Sequence, residues 1–152
     1  MSQVIGIASD HGGRILKAHL VSYLKEQGYS VEDFGVAEDA SASVDYPDYA
    51  AQVASRVSDG RLDKGVLVCG TGIGMSIAAN RFSGVRATLV WDEFTATASR
   101  EHNSSNILCL GERVLNHDRA VDFLGIWLSI TQQVAPRHQK RLDKIEKLGL
   151  GK

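Results

Sequence analysis

Three clusters of residues carry most of the chemical potential of this chain. Cys69 ends the apolar run Val66-Leu67-Val68, and Gly70, Gly72 and Gly74 follow it at every second position. A thiol at the start of a helix feels the N-terminal dipole, which favours the thiolate, and a thiolate serves as base or nucleophile. The N–H groups of such a turn face any anion brought to them. Asp10-His11 and His102-Asn103 add imidazoles able to exchange protons near neutral pH. Arg137 and Arg141, four residues apart, share one helical face, and Arg113 adds a third guanidinium suited to a phosphate. These types permit proton transfer on an anionic substrate.

Each feature also has a plainer use. Cysteine is often buried as a small hydrophobe, and Cys109 within its apolar strand reads that way. Glycines permit a tight turn, Asp10 suits a helix N-cap, His102 complements a helix C-terminus, and the arginines make a solvated basic face. The glycine run fails as a Walker loop, because Met75 and Ser76 stand where Gly and Lys are required. A cysteine phosphatase needs Arg at position 75 and finds Met75. A dinucleotide fingerprint needs Gly or Ala there, although Asp92 is placed much as a ribose-binding acid would be. His11, His102, Cys69 and Asp10 lack the close spacing of a zinc motif, so no metal is expected.

Hydrophobic periodicity supplies the frame that positions these groups. Strands are expected at Val4–Ser9, Tyr29–Phe34, Gly65–Cys69, Val85–Val90 and Ile107–Leu110. Helices are expected from about Arg14 to Gln27, from Pro47 to before Gly60, after the glycine turn, over Glu93–Glu101, from His117 to about Gln133, and from Pro136. Gly35 to Asp45 reads as a surface loop. Alternating strands and helices predict a three-layer α/β/α Rossmann-like domain with a five-stranded parallel sheet, in which Asp10 and Cys69 share the carboxyl edge. The strand order stays open. Phe123-Leu124-Gly125-Ile126-Trp127-Leu128 is apolar nearly all round, which suggests a helix covered on two sides and hence a subunit contact.

The 152 residues suit one domain, with residues 134–152 as a C-terminal helical extension against a neighbouring subunit. A net charge of −1 gives no general attraction to nucleic acid or anionic membranes. No basic-then-apolar leader and no membrane-length apolar run is present, and two cysteines suit reduced thiols, so a cytoplasmic protein is expected.

Five blocks together resemble the B-type ribose-phosphate and galactose-6-phosphate isomerases. They are Ser9-Asp10-His11-Gly12-Gly13, Val44 to Ala50, Cys69 to Asn80, Ser99-Arg100-Glu101-His102-Asn103 and Arg137-His138 to Arg141. The resemblance implies a metal-free, cofactor-free aldose–ketose isomerase of the non-oxidative pentose phosphate pathway, acting through an enediolate. Cys69 is then the base, Thr71 its assistant, and the N–H groups from Gly70 to Gly74 the hole for the enediolate oxygen. His102, with Asp10 nearby, opens the sugar ring. His11, Arg113, Arg137 and Arg141 hold the phosphate, while Tyr46, Gly70, Gly72, Gly74, Ser76 and Asn103 complete the substrate contacts. The resemblance also implies that Arg137 and Arg141 reach a neighbouring subunit's site, in a homodimer or tetramer. Some members carry Ser at position 69 and a Glu base at 73, so Cys69 and Ile73 point to the thiol branch. Val36 and Trp91 depart from residues common in the family, Thr and His. Two other readings stay open: an isomerase of allose 6-phosphate, galactose 6-phosphate or a tetrulose phosphate, and a non-catalytic nucleotide- or sugar-phosphate-binding module.

Overall fold

The computed structural model describes residues 3–149. Its elements run β1 (Val4–Ser9), α1 (Arg14–Glu26), β2 (Ser30–Asp33), α2 (Tyr46–Ser58), β3 (Lys64–Cys69), α3 (Ile73–Ala79), β4 (Ala87–Leu89), α4 (Glu93–Glu101), β5 (Ile107–Gly111), α5 (His117–Ser129) and α6 (Pro136–Glu146). All pairings are parallel, in the order β2-β1-β3-β5-β4. The chain therefore leaves β1 towards one side and β3 towards the other. The crevice at their carboxyl ends is the place where open α/β sheets bind ligands.

Alternate strand residues are apolar on both faces, so both faces must be covered. Ile5, Ile7, Val66, Val68, Leu108 and Leu110 pack with side chains of α1, α4 and α5. Ala8, Leu67, Cys69, Ile107 and Cys109 pack with those of α2 and α3 on the other face. That gives the three layers expected. Helix α6 lies outside them at the amino edge, tied to the start of β4 by a 2.8 Å ion pair between Arg86 and Glu146. Residues 150–152 of the predicted extension fall outside the described residues.

The strand expected at Val85–Val90 shortens to Ala87–Leu89, and two expectations for α5 change. Helix α5 stops at Ser129 rather than near Gln133. Its apolar circumference is also consumed within the chain: Phe123, Leu124, Trp127 and Leu128 are buried among α1, α4 and the sheet. It gives no argument for a subunit contact. Among the described residues, no helix is long and apolar enough to cross a membrane.

Gly13 is required by contact. A Cβ there would stand 2.6 Å from the carbonyl oxygen of Val68, which belongs to the central strand and cannot retreat. Gly13→Ala is expected to cost about 1–3 kcal/mol of stability, read from the urea midpoint at unchanged slope.

Candidate active site

The end of β3 forms the floor of the crevice. Cys69 is 4% exposed, and its Sγ accepts the Gly72 N–H at 3.1 Å. That bond requires the chain to fold back within three residues, which Gly72 permits with φ of +77°. Thr71 Oγ1 accepts the Ile73 N–H at 3.2 Å, so its own hydroxyl hydrogen remains to be donated. Of the N–H groups predicted as an anion hole, those of Gly72 and Ile73 are thus engaged internally, leaving Gly70, Thr71 and Gly74. Met75 is fully buried beneath the turn.

The end of β1 lies directly alongside, with Ser9 level with Val68. Asp10 is 7% exposed and accepts the Gly12 N–H at 2.8 Å, a local turn rather than the N-cap expected, since Gly13 occupies that position. From beyond β5, Arg113 closes the same space: its N–H donates to the Gly70 carbonyl at 3.0 Å. A Cβ placed on Gly12 would lie 3.3 Å from Asp10 Oδ1, 3.3 Å from Gly70 N and 3.4 Å from Arg113 Nη2, so these three groups converge. Tyr46, at the start of α2, lays its ring over Gly74, where a Cβ would come within 2.6 Å of it. His11 reaches the long loop through Nδ1, which lies 3.1 Å from Val44 N and 3.2 Å from Val44 O. Ser76 instead turns its hydroxyl back to the Ile73 carbonyl at 2.8 Å.

His102 and Asn103 are elsewhere, which corrects the expectation that His102 lies near Asp10. Helices of a parallel sheet run against its strands, so the C-terminal end of α4 is delivered to the amino edge. The adjoining residues confirm that edge: Asn106 O accepts the Gly65 N–H at 2.9 Å, at the start of β3. There His102 stacks on His138, with ring centroids 4.3 Å apart and planes 24° apart. The two rings, Glu101, Gln132 and Arg137 line a cavity of about 200 Å³. Arg141 follows Arg137 one turn along α6. Burial, followed by the charges of His102, Arg137 and Arg141, holds His138 below the usual imidazole range.

The chain therefore carries two candidate half-sites at opposite edges. One holds Asp10, His11, Tyr46, Cys69, Thr71 and Arg113; the other holds His102, Asn103, Arg137 and Arg141. Among the described residues, no group of three or more His, Cys, Asp or Glu side chains is placed to hold a metal ion. The nucleotide reading loses its acid, because Asp92 caps α4. Its Oδ1 accepts Thr95 N and Oγ1, both at 2.7 Å, and those bonds hold the carboxyl below its ordinary range.

A buried thiol at the switch point of a parallel sheet, beside a turn that keeps free N–H groups, is chemically able to move a proton next to a developing anion. The chain belongs to the Ribose/Galactose Isomerase family, whose model matches residues 5–145. It is 43% identical over 141 residues to ribose-5-phosphate isomerase B of Escherichia coli, covering 93% of each chain. Its fold matches ribose-5-phosphate isomerase B of Clostridium thermocellum with a TM-score of 0.89 and 47% identity, covering 95% of each chain. It also matches the Mycoplasma genitalium ribose-5-phosphate isomerase B with bound ribulose 5-phosphate, with a TM-score of 0.90 and 40% identity over 96% of this chain and 95% of that one.

Proposed function

We propose that this protein interconverts ribose 5-phosphate and ribulose 5-phosphate in the cytoplasm, with Cys69 as the base. The observation that carries the reading is the buried Cys69 sulfur within a turn whose N–H groups face the same space. Substrate enters as a furanose. His102 acts on the hemiacetal, so that the O1 proton leaves, the ring oxygen gains a proton, the C1–O4 bond breaks and the C1 carbonyl forms. The Cys69 thiolate then takes the C2 proton. The electron pair moves into C1–C2, and the charge reaching O1 meets N–H groups of the turn and the Thr71 hydroxyl. Proton transfer from O2 to O1, with return of a proton to C1, completes the ketose.

This sequence needs both half-sites, and one chain holds them apart. The proposal is therefore a homodimer, able to pair further into a tetramer, in which the carboxyl edge of one copy meets the amino edge of the other. The phosphate then lies between His11 and Arg113 of one chain and Arg137 and Arg141 of its partner. Exposed apolar side chains support the pairing. Ile73 and Ile77 share a face of α3, Trp91 and Phe94 flank the start of α4, and Val114 follows β5. All five lie on segments that begin at the carboxyl edge, and exposed apolar side chains there favour association.

Turnover measured side by side on ribose 5-phosphate, allose 6-phosphate, galactose 6-phosphate and a tetrulose phosphate tests the sugar. Ribose 5-phosphate is expected to give the highest kcat/KM by at least about tenfold, the discrimination roughly one well-placed contact supplies. A six-carbon sugar in first place would move the assignment within the family.

A further inference from the structure

We propose that His138 is a positioning residue, whose ring is the platform on which the His102 imidazole is held for ring opening. The inference rests on the reading of His102 given above. His102 is anchored at the end of α4 through its backbone N–H, which donates to Ala98 O at 2.8 Å. Neither of its ring nitrogens makes a hydrogen bond among the described residues, so nothing polar within the chain fixes the ring. What fixes it is the offset stack on His138, at 4.3 Å and 24°.

The platform itself is rigid. His138 is 8% exposed and sits in the first turn of α6, where its N–H donates to Ala135 O at 2.9 Å. One turn later Leu142 is buried on the same face, and Arg86 pairs with Glu146 near the end of the helix. Arg137 and Arg141 belong to that helix too, so one rigid body sets the imidazole relative to the phosphate ligands. The charges around the stack are Glu101 on α4 and Arg137 and Arg141 on α6. Burial and the cationic neighbours favour the neutral His138 ring, and a neutral ring stacks on an imidazolium without repelling it. His102 passes through that cation whenever it accepts a proton.

The test separates ring opening from proton transfer. Ribulose 5-phosphate has no free hydroxyl on C5 and stays open, so exchange of its C1 proton with deuterium oxide needs Cys69 but no ring opening. His138→Ala is expected to lower ribose 5-phosphate turnover about tenfold, as a displaced catalytic group does, while exchange stays within about threefold of the parent. His138→Phe keeps a flat ring and is expected to regain at least about half the turnover, with the same melting temperature as His138→Ala or higher. Full turnover in His138→Ala, exchange falling in step with turnover, or a Phe variant no better than Ala would each overturn the inference. His102→Ala is measured alongside: if it still turns over ribose 5-phosphate, the ring-opening role of His102 fails and the inference with it. If only His138→Ala is active, the inference alone fails.

Discussion

Cys69→Ala is expected to lose ribose 5-phosphate isomerisation by about 10³-fold or more while its urea midpoint moves little, since a positioned general base supplies factors of 10²–10⁴. The split follows from where the sulfur sits. Its side chain is small, it ends a strand whose ladder is made by backbone groups, and its one hydrogen bond comes from Gly72 N–H. Losing that bond costs stability of about 1 kcal/mol, while the proposed chemistry loses its base. Cys109 is the control. It lies in the same core, fully buried, and burial followed by the proximity of Cys69 pushes its thiol far above the usual range, so it stays protonated. Cys109→Ala is expected to leave turnover intact and to lower stability by about 1 kcal/mol. Activity retained in Cys69→Ala would remove Cys69 from the base role.

The second large effect is complementation between inactive proteins. Cys69→Ala and His102→Ala disable opposite half-sites, and each homodimer is expected to be nearly inactive. Mixed and allowed to exchange subunits, they form hetero-dimers in which one site carries both substitutions and the other carries none. With random pairing half the dimers are mixed, and recovery approaches about one quarter of the parent activity. If both half-sites belonged to one chain, every chain would stay defective. Absence of recovery with subunit exchange demonstrated by mass would refute the shared site.

Much of this was legible in the residues. The β-branched run into Cys69 and the alternating glycines placed a strand, a turn and a helix correctly, because backbone conformation there is set locally. Asp10 and Cys69 share one edge because each follows or ends a strand of a parallel sheet. The same rule, applied to helices, would have placed His102 at the other edge, since it ends a helix that runs against the strands. The apolar girth of α5 is ambiguous for a different reason. Period alone shows that Phe123, Leu124, Trp127 and Leu128 need cover, but not whether α1, α4 and the sheet already provide it. Strand order depends on long-range pairing, and nothing local encodes that β5 sits between β3 and β4. His138 stood between two arginines with no chemical signal except its four-residue spacing to Leu142, the mark of a buried stripe.

In the proposed reaction the crevice beside Cys69 moves a proton between the first two carbons of a phosphorylated aldose. Proton NMR of ribose 5-phosphate incubated with the protein in deuterium oxide tests it most directly. Ribulose 5-phosphate carrying solvent deuterium at C1 is the expected product, with neither product nor label when Cys69→Ala replaces the parent. Unchanged ribose 5-phosphate, or ribulose 5-phosphate that keeps the original C2 hydrogen at C1 through many turnovers, would contradict it.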